Sequence, residues 1–284
     1  MKTGINYSVI AERLVREGRI DVDVFKCPEW PDLIARARAI RPCYPHFAFR
    51  AGRAALGRAD WDEVRRLLAD SALPHANMHL APSIADFPGM PIDLQGVEAE
   101  ETLVAAMSRD IRRAQSELPG RPIALENVMW DPLPPWQIPL AALDAKVLRR
   151  VILDTDERLL LDLAHSSISA RCFNRDVRDF VLDFPLDRLQ ELHISGTILG
   201  DDGLWHDHHP MREEDWSLVQ WALDRIAAGE WRAPEIVTLE FGGIGPGHEK
   251  QCDAETLIRD ITRLRRMVDA ARPRRRPPVA PPLS

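Results

Sequence analysis

The sequence predicts an α/β protein built as a single (β/α)8 TIM barrel. Two patterns in the 284 residues point there. Short apolar runs alternate eight times with longer amphipathic, Arg/Ala/Leu-rich stretches, the signature of parallel strands joined by crossover helices. Six consecutive runs also end on residues of metal-ligand type, as expected where all C-terminal strand ends share one rim. Doubly wound sheets use fewer strands and usually carry a Gly-rich first turn; here no GxGxxG follows the first strand and no GxxxxGK[ST] occurs.

Taken in order, the first strand is Thr3–Tyr7, with a helix through Glu17. The second is Asp21–Phe25, followed by a helix over Pro31–Ile40; the third is Cys43–Phe49, with a helix at Trp61–Asp70. His75–Leu80 is the fourth strand, before a long helix over Gln95–Leu118. The fifth is Pro122–Glu126, with a helix in Leu140–Leu153, and the sixth Leu159–Asp162, with a helix near Arg175–Phe184. Leu189–Ile194 precedes a helix in Glu213–Ala228, and Glu235–Glu240 precedes the last helix, Ala254–Ala271. Residues 1–272 thus form the barrel. The basic, Pro-rich tail 273–284 is expected to be disordered, because proline cannot continue the helix and little is left to bury.

Composition narrows the function classes. A net charge of −7 does not suggest a globally basic, nucleic-acid-binding surface. The four cysteines are scattered without a CxxC, which reads as free thiols. The N-terminus has no apolar h-region and no run approaches the length of a membrane span, so a soluble, cytoplasmic protein is expected.

The chemistry sits at the strand ends. Strand three ends near His46, strand four on His79 and strand five on Glu126. Strand six ends on Asp162 with His165 three residues on, strand seven on His193 and strand eight on Glu240. A His/Asp cluster, WHDHHP, fills 205–210. A lone histidine at a strand end is more often a hydrogen-bonded core residue, and a lone acid a helix cap. Six in succession are harder to explain so. Carboxylates this close stay ionised together only with cations between them. Imidazole with carboxylate suits Zn, Fe or Mn. Glu126, in the middle of the series, is the natural bridge between two metals. Asn127 and Ser195 adjoin ligand positions and are read as supports for them. His75 is read as structural, and His206 and His208 as supporting or substrate-facing groups. Trp130, Trp136 and Trp205 either wall the cavity mouth or pack ordinarily.

The order His, His, Glu, Asp-x-x-His, His, Asp-x-His, Glu resembles the endonuclease IV and xylose-isomerase-like barrel superfamily. The segments MHLAPS, LENVMW, LLLDLAHSSISA, ELHISG and PMREEDWSL are similar to those of its multinuclear non-haem iron-dependent oxidative enzymes. That family usually has Asn where this chain has His165; the endonuclease IV group has His. The resemblance implies two or three mixed-valent Fe2+/Fe3+ ions. His46, His79 and Glu126 would hold one; Glu126, Asp162, His193 and Glu240 a second; His165, Asp207 and His209, or His208 in its place, a third. Glu126, Asp162, His165 and Asn127 would carry the catalytic roles. The implied activity is O2-dependent oxidation of a ribosomally made precursor peptide, at a cysteine or C-terminal residue, as in natural-product biosynthesis. A small partner protein often presents the peptide. Two other enzyme readings compete: a trinuclear zinc phosphodiesterase, favoured by His165, and a one-metal sugar isomerase or epimerase. The second usually needs a catalytic lysine or a second glutamate, and lysines are scarce (Lys2, Lys26, Lys146, Lys250), with Lys26 just after strand two. A non-enzymatic partner-binding barrel would leave the clustered ligand types without a purpose.

Overall fold

A computed structural model of the chain describes residues 1–244 and 252–272, apart from the side chains of residues 54 and 55. The tail expected to be disordered at 273–284 lies outside the described residues, as does Lys250.

The elements run β1 (Lys2–Asn6), α1 (Val9–Arg16), β2 (Val24–Pro28), α2 (Pro31–Arg38), β3 (Cys43–His46), α3 (Trp61–Ala69), β4 (Ala76–His79), α4 (Val97–Glu117), β5 (Ile123–Glu126) and α5 (Ala145–Asp154). They continue with β6 (Arg158–Asp162), α6 (Leu163–Cys172), α7 (Val177–Val181), β7 (Leu189–Ile194), β8 (Gly196–Leu199), β9 (Trp205–His209), α8 (Glu213–Ala227), β10 (Ile236–Leu239) and α9 (Ala254–Ala270). Eight strands form one sheet in the order β3-β2-β1-β10-β7-β6-β5-β4, every neighbouring pair parallel. The remaining gap, between β3 and β4, closes through the chain just beyond β3. His79 N–H donates to the Phe49 carbonyl and Ala51 N–H to the His79 carbonyl, both at 2.9 Å. The Asn77 amide brackets the Phe47 backbone at 2.8 and 3.1 Å. The barrel is the one expected.

Strands covered on both faces need apolar residues throughout rather than alternation; Leu159, Leu160 and Leu161 are all fully buried. Helix starts follow local capping chemistry. Ser8 and Asp253 accept the backbone N–H of Ala11 and Thr256, satisfying donors that a helix start leaves open.

The structure corrects three boundaries that bear on the site. β2 enters the sheet at Val24, not Asp21, because the Asp23 carboxylate turns back to accept Thr3 N–H at 2.7 Å and pairs with Arg265 at 2.6 Å. Lys26 is therefore inside the strand. The helix after β6 starts at once, at Leu163, and not near Arg175; only the short α7 occupies that second stretch. An antiparallel hairpin, β8–β9, stands between β7 and α8, where a loop was expected. Among the described residues no helix is long and apolar enough to cross a membrane.

Candidate metal centre

Paired strands in register bring the predicted residues together. His79 lies opposite Glu126 across β4 and β5, and Asp162 opposite His193 across β6 and β7. His46 ends β3, and Glu240 follows β10 directly.

Two groups of donors result. His46, His79 and Glu126 form one; Glu126, Asp162, His193 and Glu240 form the other, with ligand atoms within 4.8 Å of one another in each. Glu126 belongs to both. Its Oε2 lies 3.3 Å from Nε2 of His46 and of His79. Its Oε1 faces His193 Nδ1 at 3.5 Å, and His193 Nδ1 lies 2.8 Å from Glu240 Oε1.

A third group gathers beside them. His165 Nε2 is 3.1 Å from Asp207 Oδ2, and His208 Nε2 lies 3.3 Å from the same oxygen and 3.6 Å from Glu240 Oε2. His208, not His209, faces the cavity. In the hairpin Gly196 pairs with His209 but Ile198 with His206, so β9 carries one extra residue. This β-bulge breaks strand alternation and re-aims a side chain; His208 takes up the turn in a left-handed conformation, φ 58°. Its N–H donates to Ser195 Oγ at 3.1 Å.

Local structure also explains why Asp162 tolerates its place. One oxygen caps α6, with Oδ1 accepting the His165 N–H at 2.7 Å. The other, Oδ2, is buried and has no hydrogen-bond partner among the described residues. Asn127 fixes the same backbone from the side. Its Oδ1 accepts Asp162 N–H at 2.8 Å, and its Nδ2 donates to the Asp162 carbonyl at 3.0 Å. The imidazoles are oriented as well: Nδ1 of His79 meets the Phe49 carbonyl at 3.1 Å and Nδ1 of His165 the Asn127 carbonyl at 2.8 Å. Each donates there, which leaves its Nε2 facing the carboxylates.

Burial and charge oppose one another throughout. Burial pushes the Asp162 carboxyl up. It also favours protonated Glu126, yet the neighbouring His79 and His46 hold that carboxyl well below its usual range. His46 is pushed down to about 3 by burial, with the Lys26 charge nearby. Burial alone would lower His165, but the Asp162 and Asp207 carboxylates outweigh it and raise it to about 10. Buried nitrogen and carboxylate donors, with orphaned atoms at Asp162 Oδ2, Glu126 Oε2 and His193 Nδ1, fit divalent or trivalent cations of the Fe, Zn or Mn kind.

Lys26 is the residue that sequence reasoning missed. Its Nζ meets Glu240 Oε1 inside the cluster. The misplaced start of β2 hid it. A cavity of about 450 Å³ opens over the donors, walled by Val128, Met129, Trp136 and Ile138. Of the tryptophans, Trp136 is at the mouth; Trp130 packs against the core, and Trp205 is held on the hairpin with the Arg171 guanidinium 4.0 Å from its ring centre.

The fold is a (β/α)8 barrel whose rim carries donor groups that could hold metal ions. A xylose isomerase domain protein from Alicyclobacillus acidocaldarius superposes with a TM-score of 0.57 at 16% identity, covering 95% of this chain and 99% of that one. D-psicose 3-epimerase from Clostridium cellulolyticum superposes with a TM-score of 0.54 at 13% identity, covering 96% and 100%. Both likenesses concern the fold alone. In sequence, the family model described as "RiPP precursor modification enzyme MbnB/TglH/ChrH" matches residues 50–232, more than half the chain. The chain belongs to that family. A UPF0276 protein from Acaryochloris marina is 30% identical over 141 residues, 47% of this chain; the chain spans about half, 48%, of that relative's length.

Proposed function

We propose that the protein is a multinuclear non-haem iron oxidase that uses O2 to modify a ribosomally synthesised precursor peptide, at a cysteine or a C-terminal residue. The observation that supports this best is Glu126 shared between two donor groups, which a one-metal enzyme does not need. The family assignment supports the peptide substrate.

In this reading, iron ions held by the two groups would supply redox chemistry with O2. His46, His79 and Glu126 would hold one ion; Glu126, Asp162, His193 and Glu240 would hold the second. His165, Asp207 and His208 take a third or contact substrate. Asn127 keeps Asp162 in place through three hydrogen bonds around its backbone and α6. Val128, Met129, Trp136 and Ile138 exclude water from the reacting end of the peptide. The setting is cytoplasmic, and a small partner protein presents the peptide.

Lys26 beside Glu240 supports a second reading, a one-metal sugar isomerase or epimerase using the four-donor group with Lys26 as its acid–base residue. One experiment separates the two. Protein purified without oxygen is assayed for metal, then given O2 and any short Cys- or Asp-containing peptide found to be encoded beside its gene. Two or three irons per chain and an O2-dependent change in peptide mass support the proposal. One divalent ion with ketose turnover, or zinc with cleavage of abasic DNA, contradicts it.

A further inference from the structure

Beneath the four-donor group lies a second polar layer that the mechanism above does not use. Glu191 stands two residues before His193 on β7, so both side chains share one face, and both are fully buried. Glu191 Oε1 lies 3.9 Å from His193 Nε2, and its Oε2 lies 3.5 Å from His75 Nε2. The pairing shifts by one residue here: Leu159 pairs with Leu189, but Leu160 with Glu191. The irregularity turns two consecutive side chains to one imidazole. Gln190 Nε2 lies 3.3 Å from His75 Nδ1, while Arg232 donates to Gln190 Oε1 at 2.7 Å and so assigns the amide. An amide NH2 can only donate. His75 Nδ1 is therefore the acceptor, and Nε2 carries the proton, aimed at Glu191.

We infer that Glu191 is a positioning residue for the four-donor cation site: it takes the Nε2–H of His193 and thereby presents Nδ1 to the cation. The inference rests on the two-cation reading above. The other oriented imidazoles of the centre, His79 and His165, lean on neutral backbone carbonyls. His193 alone of the three has a carboxylate facing its far nitrogen, Glu191 Oε1 at 3.9 Å, just beyond hydrogen-bond length; a proton shared there would fix ring and tautomer and make the coordinating nitrogen more basic. The four-donor site is thereby built to bind its ion differently from the three-donor site. His75 lies against Glu191 at 3.5 Å and is itself held by Gln190, which Arg232 fixes.

The test is titration of the metal-free full chain with Co(II), followed by its absorption bands. Wild type takes up ions at both sites. Glu191→Met weakens the four-donor site by about 10- to 100-fold and leaves the three-donor site within about twofold. Glu191→Gln, which keeps an acceptor oxygen, falls between wild type and Glu191→Met. Native affinity at both sites in Glu191→Met, or equal weakening of both, overturns the inference. Failure of wild type to bind a second ion sinks the two-cation reading itself. Should neither variant fold, 15N imidazole spectra of zinc-loaded wild type decide. His193 protonated at Nε2 and bound through Nδ1 is expected; the reverse tautomer contradicts the assignment.

Discussion

Asp162 and His165 are joined within one helical turn: Asp162 Oδ1 accepts the His165 backbone N–H at 2.7 Å, so a single carboxylate both starts α6 and belongs to the four-donor group. The two roles separate by substitution. Asp162→Asn keeps a capping oxygen and loses the charge. It is expected to melt near wild type in the metal-free state but to lose the ion of the four-donor group. Asp162→Ala loses the cap as well, at a cost of about 1 kcal/mol. Calorimetry and metal analysis of both variants check this.

The bulge in β9 makes a sharper prediction. His208→Ala lowers activity at least about tenfold, the lower end of what lost metal ligands or their supports cost, whereas His209→Ala stays within about twofold. Peptide turnover measured at equal iron loading distinguishes them. The reverse pattern would restore an unbulged Asp-x-His arrangement.

Gly196 pins the same hairpin. A Cβ there would collide with the backbone carbonyl of Pro210, where no flexible side chain can yield. Gly196→Ala should lower stability by about 1–3 kcal/mol, as overpacking does, and displace Asp207 and His208. Urea unfolding and the count of bound ions read the two effects.

Glu12, the partner of the Tyr7 hydroxyl, gives the protein a pH dependence. Burial raises its carboxyl pKa, but the Tyr7 hydroxyl, Arg36 and Arg16 outweigh burial and hold it below the ordinary 4.5. A depressed folded-state pKa contributes stability above the unfolded value, and that contribution fades as pH falls through the folded one. Glu12→Gln should therefore melt several degrees lower than wild type at pH 7 (about 1 kcal/mol is worth a few degrees in a chain of this size), with the gap closing as pH falls below the ordinary carboxyl range. A gap that is constant with pH contradicts this.

Much of the centre was legible because barrel topology sends every C-terminal strand end to one rim. His46, His79, Glu126, Asp162, His193 and Glu240 needed only approximate strand ends to be placed together. What was hidden depends on register. Lys26 was missed because Asp21–Phe25 alternates like a strand, while Asp23 in fact folds back to Thr3 and Arg265. Which of His208 and His209 faces the cavity cannot be read from spacing, which does not show a bulge. Glu191 left no mark because a single acid within an apolar strand has no pattern of its own. It becomes visible only once His75 is seen beneath it.

The central claim is that Glu126 is shared between two cations. Equilibrium dialysis of wild type and Glu126→Ala against Fe(II) under nitrogen tests it most directly. Two or more irons per wild-type chain, and loss of both shared-site ions together in Glu126→Ala, is the result this account predicts. A variant that loses one iron and keeps the other at native affinity would contradict it.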